Sequence, residues 1–257
     1  MTDALTRLQL ELATALAATT EAEAALDADS IPVDSGEEAA LIVAEAVERC
    51  PEDPGSCARS LLARRQAGEL LGHVLGKVRF LDCELLTAPD CLVPRKETEI
   101  LGRAAIDILK TRLVPPGGCL RCIDMCCGAG NLACAIASHV PGVRVWAADL
   151  TDGCVALARR NVTHLGLEQY VTVWQGDLFD AISDPELTGS VDLVVCNPPY
   201  ISSGRLAGER AGLLLREPRR AFDGGTKTTL IAAIVSSQPE PISSVVVPRV
   251  FLIVRFP

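Results

Sequence analysis

The chain has 257 residues, of which 49% are hydrophobic and 22% are charged, so it can form one large domain, alone or with a smaller one. A net charge of −9 disfavours sequence-independent binding to nucleic acid, which needs a basic surface. No run approaches the roughly 18 apolar residues of a membrane helix, and the acidic N-terminal stretch has no apolar signal core. The sequence therefore predicts a cytoplasmic protein that acts on a protein or a small molecule.

The eleven cysteines are odd in number and come without a secretion signal, which favours reduced thiols over disulfides. Four of them cluster at Cys119, Cys122, Cys126 and Cys127. Cys122 falls in a predicted strand, and the last two fall in a glycine turn. No further CxxC pair or histidine cluster follows at zinc-site spacing, so we expect no metal site.

The first part of the chain is predicted to be helical. Residues 2–27 are rich in Ala, Leu and Glu, and "CARSLLARRQAGELL", residues 57–71, has helical composition too. Between them, Ser35 and Glu38 have the spacing of a capping box at the start of another helix. Residues 1–75 are therefore expected to form a small helical domain, serving either substrate recognition or scaffolding.

Residues 76–98 are expected to join this domain to the rest. "VRFLDCELL", residues 78–86, predicts a hairpin, and a "PRKETE" loop follows at residues 94–99. "ETEILGRAAIDILKTRL", residues 97–113, has the pattern of an amphipathic helix. The second domain is expected to span residues 99–257.

From residue 120 onward, predicted strands alternate with predicted helices. The strands are "LRCID", "VRVWAAD", "VTVWQGD" and "VDLVVC", and the helices are "NLACAIASHV" and "DGCVALARRNVTHLG". This alternation predicts an α/β fold with a largely parallel sheet covered by helices on both faces. Ligands in such folds bind at the carboxyl ends of the strands.

The C-terminal tail, residues 226–257, has only four charged residues. "VFLIV", residues 250–254, is apolar enough to lie beside the fourth predicted strand, and residues 228–237 are expected to supply the helix before it. Too few residues then remain for a closing hairpin. The C-terminal part of the sheet is therefore expected to be incomplete, with an exposed edge.

A glycine turn lies between the first predicted strand and its helix, in "DMCCGAGN", residues 124–131. Gly128 and Gly130 permit a tight turn and a close approach of a ligand to the backbone. The next two predicted strands end in Asp149 and Asp177, whose carboxylates can accept hydrogen bonds from ribose hydroxyls and from an exocyclic amine. With Asp124, these acids predict a nucleoside pocket, and the absence of a GxxxxGK[ST] motif disfavours a nucleoside triphosphate.

The fourth predicted strand ends in "NPPY", residues 197–200. The Asn197 amide and the Pro198 carbonyl can accept the two hydrogens of a planar –NH2 group, and the Tyr200 ring can cover it. Two fixed acceptors would aim the nitrogen at an electrophile, which supplies much of the rate in a displacement.

The combination of "DxxxGxG" with "NPPY" resembles the class I S-adenosylmethionine-dependent methyltransferases, which have a Rossmann-like fold. "GELLGHVLGKVRF", "LVPRKETEIL" and "REPRRAFDGG" further resemble the HemK/PrmC-type release-factor glutamine methyltransferases. These matches occur in the family's order over about residues 64–225. Three residues depart from the family's pattern: Cys126, where the family has the first glycine of the cofactor loop, Lys96, where it has a proline, and His73, where it has a tyrosine.

The resemblance implies methyl transfer from S-adenosylmethionine to the side-chain amide of the glutamine in the Gly-Gly-Gln loop of a peptide chain release factor. Catalysis would fall to Asn197, Pro198 and Tyr200, which would also bind the substrate together with Pro199, Arg95 and Glu97. The cofactor would be held by Asp124, Cys126, Gly128, Gly130, Asp149, Asp177 and Asn197.

Three alternatives remain open at this point. "NPPY" also suits methylation of adenine or of a small metabolite, although the acidic charge disfavours nucleic acid. The unusual tail instead suggests an inactive, truncated relative. For Arg95 and Glu97, an interdomain ion pair is an alternative to ordering the loop over the pocket.

Overall fold

A computed structural model describes residues 2–26, 34–113, 118–182, 187, 190–208, 216–225, 243–247 and 250–254. Its helices are α1 (Thr2–Leu26), α2 (Ser35–Arg49), α3 (Pro54–Gln66), α4 (Leu71–Leu75), α5 (Thr98–Lys110), α6 (Asn131–His139), α7 (Asp152–His164) and α8 (Ser203–Ala207). Its strands are β1 (Lys77–Phe80), β2 (Cys83–Leu86), β3 (Arg121–Met125), β4 (Arg144–Asp149), β5 (Val171–Gln175), β6 (Leu193–Cys196), β7 (Ser243–Val247) and β8 (Val250–Val254). None of the described helices is both long and apolar enough to cross a bilayer.

The chain divides into two compact units, with a boundary between Lys77 and Val78. The first unit contains α1 to α4 around an apolar core that includes Leu12, Leu16 and Ile42. The helical prediction for residues 2–27 is confirmed by α1. The assignment of 1–75 to substrate recognition stays a prediction.

The predicted capping box before α2 is wrong. Asp34 is the N-cap residue, and its carboxylate accepts hydrogen bonds from the backbone N–H groups of Gly36 and Glu37 at 2.9 and 3.2 Å. Glu38 is buried instead and pairs with the buried guanidinium of Arg65 on α3. A short carboxylate one residue earlier thus satisfies the free N–H groups, and Glu38 serves the packing between helices.

The third predicted helix, residues 57–71, starts and ends earlier in the structure than expected. Helix α3 starts at Pro54, earlier than predicted, because Asp53 caps it and proline suits the first helical turn. It ends at Gln66, and Gly68 then takes a left-handed conformation with φ of 93°. The chain resumes helical structure only in α4.

The predicted hairpin of residues 78–86 is confirmed by β1 and β2. It does not act as a mere linker, because Phe80, Leu81 and Leu85 are buried in the core of the second unit. The hairpin therefore belongs to the α/β unit.

The predicted α/β fold with a largely parallel sheet is confirmed, but the described helices α5 to α7 all pack on one face of the sheet rather than on both. The sheet has the order β5–β4–β3–β6–β8–β7, and its first four strands are parallel. Helices α5, α6 and α7 contribute Leu101, Ile136 and Ala158 to the core on one face, while Trp146 and Val194 pack on the other. The four parallel strands present their carboxyl ends at one edge.

The prediction for the tail is correct in part. Strand β8 lies beside β6, as expected for residues 250–254, but it runs antiparallel. The expected lack of a closing hairpin is wrong, because β7 pairs antiparallel with β8 across two intervening residues. Two residues are enough for a hairpin connection, so the tail is long enough after all. Residues 228–237, the predicted helix, lie outside the described residues.

Candidate active site

The register of the sheet places three of the predicted site residues side by side at the carboxyl ends of neighbouring strands. Met125 at the end of β3 is the aligned partner of Ala148 on β4 and of Cys196 on β6. Each is followed by a predicted site residue, which is Cys126, Asp149 or Asn197. Because neighbouring strands lie about 4.8 Å apart, the ends of β4 and β6 are close enough to contact one small ligand.

The loop after β3 has the sharp turn that its glycines predict. Cys126, Gly128 and Gly130 have φ values of 59°, 54° and 75°, all in the left-handed region. A side chain at Gly130 would also lie 3.1 Å from Cβ of Ala158 on α7. Cys126 therefore takes, at some cost, a conformation that suits glycine.

Asp149 at the end of β4 fixes this loop. Its Oδ2 accepts the backbone N–H of Gly128 at 2.9 Å. Its Oδ1 accepts the backbone N–H of Thr151 at 3.0 Å and the Thr151 hydroxyl at 2.9 Å. A carboxylate has about four acceptor positions, so a ligand hydroxyl can use the remaining one and can replace the rotatable Thr151 hydroxyl.

Asp124 is fully buried within β3. Its Oδ2 accepts the backbone N–H of Ala133 in the first turn of α6 at 2.9 Å. Its Oδ1 is buried without a hydrogen-bond partner. Burial, opposed in part by the Ala133 hydrogen bond, raises the pKa of Asp124 to about 7. A buried carboxyl with an unused acceptor suits a donor or a positively charged ligand.

Asp177 lies beyond β5, at the edge that the sequence predicted, and its side chain is exposed. It precedes a short 3-10 helix at Leu178–Ala181 without capping it. The neighbouring Gly176 donates its backbone N–H to the Asp149 carbonyl at 3.0 Å. Asp177 is thus tied to the same edge through the backbone and remains open to a ligand.

The "NPPY" segment follows β6 without a break. Asn197 is half-buried, and its Nδ2 donates to Oγ1 of buried Thr98 at 3.3 Å. Pro198 is buried, Pro199 is half-buried, and Tyr200 is 47% exposed. An exposed tyrosine beside the amide can cover a planar group, as the sequence predicted.

A second segment, Phe222–Gly225, holds "NPPY" in place. Ile201 donates to the Phe222 carbonyl and accepts from the N–H of Gly224, each at 2.9 Å. A methyl group at Gly224 would lie 2.7 Å from the Pro199 carbonyl oxygen. The glycine is therefore required by the close approach of the two backbones.

Asp223 also stabilises this turn, which the sequence alone did not indicate. Its Oδ1 accepts from the Ser203 hydroxyl at 2.6 Å and from the Gly225 N–H at 3.0 Å, and its Oδ2 accepts from Arg219 at 2.8 Å. The Ser203 hydrogen bond, followed by those from Gly225 and Arg219, lowers the pKa of Asp223. Its place in "REPRRAFDGG" was the available signal.

Arg95 forms an ion pair with Glu217. Both residues belong to the second unit, so the pair is not interdomain. Glu217 is buried, and its other oxygen accepts the N–H of Val93 at 2.9 Å. Glu97 is exposed and does not cap α5. Arg95 thus helps to order the loop before α5, whereas the described contacts assign Glu97 no such part.

The eleven cysteines are free thiols. Within the described residues, no group of three His, Cys, Asp or Glu side chains could hold a metal ion.

Comparison with known proteins gives a family match over residues 106–243, more than half of the chain, to the methyltransferase small domain. The release factor glutamine methyltransferase of Geobacter sulfurreducens is 33% identical over 74% of this chain and 62% of its own length. That of Streptomyces coelicolor is 41% identical over 55% of this chain and 47% of its own length. The chain thus spans about half to three fifths of these relatives.

A relative with a different named substrate is also similar. The 4-amino-L-phenylalanine/4-methylamino-L-phenylalanine methyltransferase of Streptomyces pristinaespiralis is 35% identical over 64% of this chain and 57% of its own length.

Proposed function

We propose that this chain, which belongs to the methyltransferase small domain family, methylates the side-chain amide of a glutamine in a protein, with S-adenosylmethionine as the donor. The main support for this proposal is that Cys126, Asp149 and Asn197 directly follow residues that are aligned with one another at the ends of β3, β4 and β6. A donor held by the first two residues would lie beside an acceptor held by the third.

The residues at the ends of β3 and β4 fit this cofactor. Asp149 would accept the ribose hydroxyls, and the loop at Gly128 and Gly130 would allow close approach to the backbone. The unused oxygen of Asp124 suits the positive charge that a sulfonium and an ammonium group carry. Asp177, exposed at the same edge, would accept from the adenine amine.

Asn197 and the Pro198 carbonyl would accept the two hydrogens of the glutamine –NH2 group, with Tyr200 packed on its plane. When bound, the cofactor supplies an electrophilic methyl group on a sulfonium sulfur. The bond from that methyl carbon to sulfur breaks as its bond to nitrogen forms, and the nitrogen then releases one proton to water. The role of Asn197, Pro198 and Tyr200 would thus be to hold the glutamine nitrogen in the orientation that faces the methyl group.

A peptide chain release factor is the substrate that we propose. The two relatives named as release factor glutamine methyltransferases, at 33% and 41% identity, support this choice. The ion pair between Arg95 and Glu217 joins the "PRKETE" and "REPRRAFDGG" segments on which the sequence resemblance rests. The helical residues 1–75 would then serve recognition of the protein substrate.

A cytoplasmic location is part of this proposal, because eleven free thiols are typical of a reducing compartment. The net charge of −9 also makes nucleic acid a poor partner.

A second candidate is methylation of an aromatic amine on a small metabolite. The relative that is named for 4-amino-L-phenylalanine favours it. An aniline-type amine is planar and presents the same two hydrogens to Asn197 and Pro198.

The test is incubation of the full chain with S-adenosylmethionine carrying a labelled methyl group. The acceptors are a peptide chain release factor, the same factor with its Gly-Gly-Gln glutamine changed to alanine, 4-amino-L-phenylalanine and an adenine-containing oligonucleotide. Mass mapping should place the label on that glutamine alone. Label on the amino acid supports the second candidate, and label on none of them contradicts both.

A further inference from the structure

The side-chain amide of Asn197 donates a hydrogen bond to Thr98, a residue that has no part in the proposed chemistry. We infer that Thr98 is a positioning residue of the acceptor site, because its hydroxyl holds Nδ2 of Asn197 and leaves Oδ1 for the substrate. This inference rests on the function proposed above and adds a residue to it.

The geometry places the two groups in contact. Asn197 Nδ2 donates to Thr98 Oγ1 at 3.3 Å, although 99 residues separate them in sequence. Thr98 is only 6% exposed, so water has little access to replace its hydroxyl. An amide nitrogen that faces a buried hydroxyl turns the amide oxygen away from it.

The orientation of this amide matters for the reaction. Oδ1 can accept an N–H from the substrate, whereas Nδ2 can only donate and would oppose it. Without the hydroxyl of Thr98, Nδ2 would have to turn towards water to find a partner. That rotation would take Oδ1 of Asn197 out of the position in which it accepts.

Thr98 is itself held in place independently of Asn197. Its backbone N–H donates to the Arg95 carbonyl at 3.1 Å, in the turn that starts α5. Arg95 pairs with buried Glu217, which also accepts the N–H of Val93 at 2.9 Å. The hydroxyl is therefore presented by the first turn of α5, and the loop before that turn is tied to Glu217 by a hydrogen bond and an ion pair.

The first measurement is steady-state methyl transfer by the full chain and by Thr98→Val, which keeps the side-chain shape and removes the hydroxyl. We expect kcat to fall about 10- to 100-fold, with cofactor affinity by calorimetry unchanged. Thr98→Ser should restore most of kcat. Thr111→Val, the same change at the opposite end of α5, is the matched control and should behave like the unmodified chain. Full activity of Thr98→Val, or equal losses in the serine and valine variants, would overturn the inference.

The second measurement needs no activity. The side-chain amide of Asn197 can be identified in a ¹⁵N spectrum as the resonance that Asn197→Ala removes. Its hydrogens should exchange slowly with water in the unmodified chain and in Thr98→Ser, and faster in Thr98→Val or Thr98→Ala. If the exchange does not change, Thr98 does not hold the amide. An unmodified chain that methylates no acceptor while showing these differences refutes the proposed function and leaves the contact standing.

Discussion

The proposed cofactor half and the proposed acceptor half of the site are built in different ways. The cofactor half takes Asp124, the glycine turn and Asp149 from a stretch of 26 residues, and its shape depends on left-handed backbone and on one carboxylate. The acceptor half combines three segments, near residues 93–98, 197–203 and 217–225, which are joined by long-range hydrogen bonds. The conformation of a local turn can be predicted from its own residues. The conformation of a site built from several segments depends also on residues that are distant in sequence.

The largest effect is expected at the acceptor half. Asn197→Ala should lower kcat by about 10²-fold or more, because it removes orientation of the nitrogen. Affinity for S-adenosylmethionine should change little, since Asp149 and the glycine turn, which supply most of the proposed cofactor contacts, are untouched. Single-turnover kinetics together with calorimetry would measure both, and a joint loss of binding would show that the two halves are not separable.

The cofactor half should respond in the opposite way. Asp149→Ala should weaken S-adenosylmethionine binding by roughly 1–3 kcal/mol, since it leaves donors without an acceptor. Part of that loss would come from the loop, because Gly128 loses its partner. Asp180→Ala, an exposed acid beyond the next strand, is the matched control. Equal affinities of the two variants by calorimetry would remove Asp149 from the cofactor site.

Asp124 should make the free protein less stable as the pH rises. Burial raises its pKa from 3.8 to about 7, so the folded state keeps a proton that the unfolded state has lost. Its stabilising contribution is therefore present below about pH 4 and is lost as the pH rises to about 7. The free energy of unfolding, relative to Asp124→Asn, should fall by about 1 kcal/mol per pH unit between these limits.

Urea unfolding of both proteins across this range would measure the difference. Because other acids titrate equally in the two proteins, only Asp124 contributes to it. A difference that is independent of pH would mean that Asp124 keeps an ordinary pKa.

The smallest effect is expected at Cys126. Cys126→Gly should relieve the left-handed strain, worth about 1–2 kcal/mol, and should lose about 0.5–1 kcal/mol to the greater freedom of the unfolded chain. The net gain in the free energy of unfolding should therefore lie between about 0 and 1.5 kcal/mol. Clear destabilisation in urea would show that the Cys126 side chain packs better than its backbone geometry suggests.

The sequence by itself predicted what depends on local patterns. Strand–helix alternation indicated the parallel sheet, and the positions of Gly128, Gly130, Asp149 and Asn197 at its edge followed from where the strands end. These features depend on backbone sterics and on the geometry of parallel strands, both of which are expressed in neighbouring residues.

Only the tertiary structure decided which distant residues meet. Thr98 contacts Asn197 across 99 residues, and Glu217 contacts Val93 across 124. The same holds for β8, whose antiparallel pairing with β6 no local pattern specifies. Strand direction and long-range hydrogen bonds depend on how the connecting segment returns the chain to the sheet. The local sequence of the residues that pair does not specify that connection.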